Sequence, residues 1–442
     1  MDGPDRDRQS AGFRERTPVE TARRRLEAVV PGAGRQPAVG TVQIHHEDAD
    51  GRILAESVTA GRDVPHYERA AMDGYALRAL DTHGASNRSP AVLRIADTEV
   101  DPDRTVNPGT ATRVHTGSAV PPGADAVVMI EHVVELTEIG ELEVEDAVAV
   151  GENVAPVGED VAAGSTLYDA GHRIRPSDIG LLRSTGVQTI TVAQQPSVAI
   201  FPTGEELVGP DEEPGPGQVV ETNGQTVAAL VERWGAKAAG HEPVTDDFDV
   251  LAGAIEDGLD HDVVVTTGGS SVGKRDLLPE VIDELGDVVV HGVALKPGHP
   301  VCLGVVDETP VLVLPGYPVA CIVNAVQFLR PTIRWLEGAP VEDHPTVRAR
   351  LDRKIPSEPG TRTFARVSLS TAQEADRVAV DRDPEASERR QKCDEPAHVA
   401  TPTRASGSGV LSSVALADGW VVVEEEREGI PAGETVAVEL WE

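Results

Sequence analysis

Aromatic side chains are scarce. Five Phe, four Tyr and four Trp make up 3% of the 442 residues, so burial must rest on Ala, Val, Leu and Ile rather than on large rings. The apolar fraction of 40% still lies well above the range in which chains fail to form a core. Cysteine is rarer still: Cys302, Cys321 and Cys393 form an odd set with no CxxC spacing, which gives neither a zinc knuckle nor a disulfide framework and fits a reducing cytoplasm. No apolar run approaches the roughly 18 residues a membrane-spanning helix requires, and no secretory apolar core opens the chain. Positive charge is also sparse. The 39 Lys and Arg face 74 acids, for a net charge of −35, which argues against nonspecific binding of nucleic acid or anionic membrane. Lysine occurs only at 237, 274, 296, 354 and 392. An acid-rich, lysine-poor surface of this kind suits a high-salt, halophilic cytoplasm, where cations screen the self-repulsion.

Against this background the stretch DVVVTTGGSSVGKRD (262–276) stands out. Val263, Val264 and Val265 read as a strand buried on both faces, and Leu277, Leu278, Val281, Ile282 and Leu285 recur at helical spacing after it. Between them, Gly268 and Gly269 allow positive φ and close approach of a ligand to bare backbone, ahead of a helix start that suits phosphate. Residues 268–274 satisfy a Walker A loop until Arg275, which stands where a magnesium-binding hydroxyl belongs. Asp276 is either the cap of that helix or a metal-ligating carboxylate beside bound phosphate.

The same strand–turn–helix grammar runs through 191–338, predicting a doubly wound α/β domain. Strands are expected at Ser197–Phe201, before Asp246, at Val288–Leu295, Val301–Val306 and Val311–Leu314, with helices at Thr222–Trp234, Asp247–Leu259 and Val319–Leu336. Ligands of such sheets sit beyond the carboxyl ends of the strands, an edge that would carry Glu206, Asp246 and Asp276.

The length demands several domains. Residues 1–16 read as a disordered tail, and a helix opens at Thr17-Pro18-Val19-Glu20. Residues 17–60 and 150–190 are expected to form a support, 61–149 a projecting β module, and 339–442 a small C-terminal β-barrel. The fold class is thus multidomain α/β plus β, with an N-terminal β-rich two-lobed region. Two further strings sit in the β module: AAMDGYA (70–76) and HTGSAVPPGADAVV (115–128). Taken alone, Asp73 in the first reads as a structural Asx-turn.

These strings, with GRILAESV (51–58), GENVAPVGEDV (151–161), PTGEEL (202–207), TTGGSSVGKRD (266–276), LKPGHP (295–300) and LPGYPVA (314–320), resemble the MoeA/gephyrin E-domain family of molybdopterin molybdenumtransferases, in order and over nearly the whole chain from Thr17. The resemblance implies an enzyme of molybdenum cofactor biosynthesis that inserts molybdate into adenylylated molybdopterin, with Mg2+-dependent release of AMP. It also implies a cytoplasmic homodimer with its cleft between the α/β domain of one subunit and the β module of the other. Molybdopterin adenylyltransferase and molybdoenzyme apoproteins are the further partners it admits, while the charge balance and the absence of long apolar runs speak for no nucleic acid and no membrane.

Carried over residue by residue, the family's catalytic positions fall on Asp73, Thr116, Glu206, Asp246 and Asp276, of which Glu206, Asp246 and Asp276 would hold the metal. Substrate-binding positions fall on Asp160, Gly268, Gly269, Ser271, Lys296, His299, Pro315, Arg366 and Ser408. The chain departs from its relatives at His299, where several carry lysine, at Tyr317 and at Ala320, all near the expected oxoanion contact. Molybdate and tungstate, alike in size and charge, are both admitted as substrate, with His299 as a titratable stand-in for fixed charge beside Lys296. A molybdopterin adenylyltransferase would be shorter and would lack AAMDGYA and the barrel. A nonenzymatic assembly scaffold would not need all the acids.

Overall fold

The computed structural model describes residues 16–32, 36–96, 105–269, 277–371, 396–403 and 409–441. The expected tail therefore falls, apart from Arg16, outside the described residues. The chain separates into two compact units, one built from 43–50 and 56–191, the other from 1–42, 51–55 and 192–442. These two units are coarser than the five segments expected from sequence.

The smaller unit is organised by a six-stranded sheet: β1 (Gly74–Leu77), β2 (Ser86–Ile95), β3 (Thr110–Val114), β4 (Ala126–Met129), β5 (Val133–Leu136) and β6 (Glu141–Asp146). They lie in the order β4-β1-β3-β2-β6-β5. Strand alternation sends Tyr75, Leu77, Ala126 and Val128 to one apolar cluster, with Leu93, Leu142 and Val144. Ala76, Val114 and Val127 go to another, as a period of two requires. Gly74 is obligatory: a Cβ there would lie 1.9 Å from the Val128 carbonyl oxygen.

In the larger unit, β7 (Ser197–Pro202), β8 (Lys237–Gly240), β9 (Val263–Thr267), β10 (Asp287–His291), β11 (Cys302–Val306) and β12 (Thr309–Leu314) form a sheet in the order β8-β7-β9-β12-β11-β10. The first four strands in that order are parallel and the last two antiparallel. Both faces are covered. Val198, Ile200, Val263, Val265, Leu312 and Leu314 face a core shared with the helices Asn223–Arg233 and Pro318–Asn324. Ala199, Phe201, Val264, Val311 and Val313 face one shared with Phe248–Gly258 and Leu278–Leu285. This is the doubly wound arrangement the continuous apolar strands foretold. The helix Val19–Glu27 adds its stripe of Val19, Ala22 and Leu26 to the first of these cores.

Local chemistry corrects several boundaries. The second strand stops at Gly240 instead of running to Asp246, because Pro243 has no N–H to give a ladder. The strand expected to reach Leu295 stops at His291, where Gly292 takes φ +86°. The helical run from Pro318 to Leu336 contains a π-turn at Ala325–Leu329, just where Pro331 withholds an N–H and crowds the preceding turn. Thr17 lies outside its helix, whose N-cap position is Pro18 with no side-chain cap, and Thr222 makes no side-chain cap. Asp247 does cap, accepting from the N–H groups of Asp249 and Val250 at 3.1 and 3.3 Å.

The C-terminal strands β13 (Thr346–Leu351), β14 (Arg362–Thr371), β15 (His398–Pro402), β16 (Gly419–Val423) and β17 (Thr435–Glu439) pair as β14-β15-β13-β17-β16, and β16 pairs back to β14. That closes the expected barrel and leaves these strands no open edge. Its interior is filled by Ala349, Leu351, Val367, Ala400, Val421, Val423 and Val438.

Candidate functional site

The carboxyl ends of β7 and β9 build the site in the α/β domain. Beyond β7 the chain turns at Gly204, whose φ of +146° and whose missing Cβ leave room for the Glu206 carboxylate; a methyl there would lie 2.7 Å from Oε2. Beyond β9, Gly268 takes φ +148° and Gly269 +62°. A Cβ on Gly268 would meet the Thr203 carbonyl oxygen at 2.3 Å and the Thr203 hydroxyl at 2.6 Å, so only glycine lets the two loops approach this closely. The Gly268 N–H donates to the Leu314 carbonyl, and the Gly204 N–H to that of Val244. Asp246 is thereby held two residues past the strand-like bridge between Thr203 and Val244, on the loop next to Glu206. Buried Pro315 and then Gly316 follow β12, and the Asn223 side chain donates to the Gly316 carbonyl at 2.7 Å. Ser271 and Asp276 lie outside the described residues.

The floor of this edge is hydroxylic. Among the described residues the Oγ1 atoms of Thr203, Thr266 and Thr267 are all buried without a hydrogen-bond partner, though buried hydroxyls normally find one. Sequence reasoning missed these residues. The available signal was two consecutive threonines ending an all-valine strand directly before a double glycine.

Lys296, in the KPG turn, reaches across to Glu358, its Nζ 3.0 Å from Oε1, and holds that carboxyl below its usual range. Gly298 in the same turn has φ +111°, and a Cβ there would lie 2.2 Å from Nδ2 of Asn324. That amide donates to the carbonyls of Gly298 and Ala320 at 3.0 and 2.8 Å. Asn324 thus locks the turn, another role the sequence did not disclose. Burial, with a lesser contribution from Arg16, lowers the pKa of His299, which disfavours the imidazolium form at neutral pH. Arg366 is 8% exposed on β14, opposite Trp420; burial presses its pKa down. Ser408 lies outside the described residues.

In the smaller unit the structure brings Asp73 and Thr116 together. Asp73 Oδ1 accepts from the Thr116 N–H at 2.7 Å and from its hydroxyl at 2.9 Å, with His115 Nδ1 4.0 Å away. These bonds, the backbone one foremost, lower the Asp73 pKa. The carboxylate remains about half exposed, so it is held in place and still open to a ligand. Asp160 is exposed; its N–H donates to the Val64 carbonyl. Among the described residues no hydrogen bond or ion pair joins its side chain to Asp73 or Thr116.

Chemically, the α/β edge offers bare glycine backbone, the Thr203 hydroxyl beside it and two carboxylates on adjoining loops. Hard oxygen donors of this kind fit Mg2+ beside a phosphate better than a softer metal.

Known proteins place these features in context. Residues 17–186 match the MoeA N-terminal region (domain I and II), 199–335 a probable molybdopterin binding domain, and 392–441 the MoeA C-terminal region (domain IV). A putative molybdopterin biosynthesis protein of Methanocaldococcus jannaschii is 35% identical over 402 residues, covering 89% of this chain and 90% of the relative. Molybdopterin molybdenumtransferase 2 of Mycobacterium tuberculosis is 35% identical over 342 residues, with 73% and 81% covered. The crystal structure of a molybdopterin biosynthesis MoeA protein from Pyrococcus horikoshii superposes with a TM-score of 0.75 at 31% identity, covering 97% of this chain and all of the other.

Proposed function

The chain belongs to the MoeA family, and from that membership we propose that it is a molybdopterin molybdenumtransferase, a transferase of molybdenum cofactor biosynthesis. We further propose that its substrates are adenylylated molybdopterin and molybdate, that AMP is released with Mg2+ as cofactor, and that the enzyme is a cytoplasmic homodimer. Among the described residues no helix is long and apolar enough to cross a membrane.

The observation that carries this reading is the meeting of the β7 and β9 loops. Gly268 and Gly269 expose backbone beside the buried Thr203 hydroxyl, which has no hydrogen-bond partner among the described residues, with the Glu206 carboxylate folded against Gly204 on the neighbouring loop. A phosphate group seated on the glycines would draw on the Thr203 hydroxyl, which lies 2.6 Å from where a Gly268 Cβ would stand, giving that buried Oγ1 a partner. Glu206 and Asp246, with Asp276, would hold Mg2+, which when bound supplies positive charge to the phosphoanhydride being broken. Lys296 presents a point charge to the incoming oxoanion; Glu358 competes for that charge. Asp73 and Thr116 are proposed to serve the pterin side of the substrate, Thr116 fixing the Asp73 carboxylate in its ionised form.

The deciding experiment incubates purified protein with adenylylated molybdopterin, Mg2+ and either molybdate or tungstate, following AMP release and metal incorporation. Molybdate- and Mg2+-dependent AMP release is expected. Substrate binding with no AMP release would leave a scaffold, and release only with tungstate would replace the substrate.

A further inference from the structure

Far from these loops in sequence, His45, His46 and Glu47 form a cluster that the proposed reaction does not use. His45 ends a strand in extended conformation, and His46–Asp48 is one turn of 3-10 helix. The tight turn folds three consecutive side chains toward one point, so that one ligand atom from each lies within 4.8 Å of the others.

His46 carries the argument. The residue is only 5% exposed, and its Nδ1 lies 3.1 Å from the Gln188 carbonyl oxygen. A carbonyl can only accept, so Nδ1 bears the proton and Nε2 is left with its lone pair. That Nε2 is buried and has no hydrogen-bond partner among the described residues. An unsatisfied buried acceptor is costly, and an imidazole whose other nitrogen donates to a carbonyl is the arrangement metal-ligating histidines adopt. The Gln188 carbonyl also takes the His46 N–H at 2.9 Å, which anchors the turn.

The neighbours bring two further donors, of which His45 Nδ1 also accepts the Glu47 N–H at 3.4 Å. The His45 and His46 rings lie 4.2 Å apart between centroids. His45 Nδ1 is 3.6 Å from Glu47 Oε2, close to the roughly 3–3.6 Å that separates two donors on one zinc ion with bonds of about 2.0–2.2 Å. Arg183 Nη1 stands 3.6 Å from the other carboxylate oxygen, Oε1, leaving Oε2 available. Both His45 and Glu47 are largely exposed, so their side chains can turn to admit an ion and close on it.

We propose that His45, His46 and Glu47 form a binding site for a borderline divalent transition ion, with zinc the best match to two imidazoles and one carboxylate. Magnesium, which prefers oxygen ligands and dehydrates reluctantly, is a poor guest here. The site is therefore chemically separate from the carboxylates at the β7 and β9 ends.

The test uses the full chain, stripped with chelator and titrated with Zn2+ in high salt and excess Mg2+, which suppress diffuse binding to the acidic surface and to the Glu206–Asp246 loops. One zinc per chain is expected in the wild type, weakened about tenfold or more by His45→Ala and by Glu47→Gln. Both alter exposed side chains, so the fold should survive even if His46→Gln proves unstable. Substituting Co2+ gives a second readout, since its visible bands report nitrogen ligation and should fade in the same variants. Zinc binding of equal affinity and stoichiometry in wild type, His45→Ala and Glu47→Gln would overturn the proposal, as would a wild type that retains no zinc against Mg2+.

Discussion

Asp73 receives both hydrogen bonds that Thr116 can donate, on a single oxygen, at 2.7 and 2.9 Å. The bond from the backbone N–H ranks first in depressing the Asp73 pKa, with the hydroxyl second. Thr116→Val should remove only the second and raise that pKa part of the way toward its ordinary value. A carboxyl-detected NMR titration checks this; an unchanged midpoint would show that the hydroxyl contributes nothing. For a depressed carboxyl the associated stability is present above the unfolded pKa and lost as pH falls through the folded one. The variant should accordingly lose less stability on acidification than the wild type.

Gly204 leaves space that the Glu206 carboxylate occupies. Gly204→Ala should displace that carboxylate and strain the backbone by about 1–3 kcal/mol. Glu206→Gln, an exposed change, should leave the fold intact and slow AMP release about tenfold or more through loss of one metal ligand. Raising Mg2+ should restore part of the activity. Wild-type turnover of Glu206→Gln at limiting Mg2+ would remove Glu206 from the metal site.

Lys296 is paired with Glu358 in the absence of substrate. Glu358→Gln should free the ammonium and tighten oxoanion binding, while Lys296→Met should weaken it. Neither exposed change should move Tm appreciably, because surface pairs contribute little to stability. Calorimetric titration with molybdate and tungstate reads both outcomes, and identical affinities in the two variants would exclude Lys296 as an oxoanion contact.

His299 should be neutral at pH 7, since burial lowers its pKa from the usual 6.5. Wild-type oxoanion affinity should then stay flat from pH 8 to 7, rising only as the pH falls below the ordinary imidazole range. His299→Lys should bind more tightly across the whole range. A wild-type profile already steep between pH 8 and 7 would mean that the site raises the imidazole pKa instead.

His344 offers a stability test away from the site. Burial, aided by Arg330, pushes its pKa down to about 4. Between pH 6.5 and 4 the unfolded chain therefore binds the proton that the folded chain refuses, and stability falls as pH falls through that window. Urea unfolding at pH 7 and pH 5 should show a larger loss for wild type than for His344→Gln.

The sequence by itself determined the features that are local. An all-valine strand followed by two glycines reads as a buried strand and a bare turn because β-branching and the absence of Cβ act on their own residues. The alternating strands of the C-terminal segment likewise foretold a barrel, and Pro243 and Gly292, read more strictly, would have ended their strands close to where the structure does. Tertiary structure alone decided what depends on residues far apart in the chain. The pairing of Lys296 with Glu358 spans 62 positions, and the Gln188 carbonyl that fixes the His46 tautomer lies 142 positions away. The burial of Arg366, the stranding of the Thr203, Thr266 and Thr267 hydroxyls and the low pKa of His299 belong to the same class. Desolvation and hydrogen-bond satisfaction are properties of a residue's packed surroundings, which elements from elsewhere in the chain supply only once it has folded.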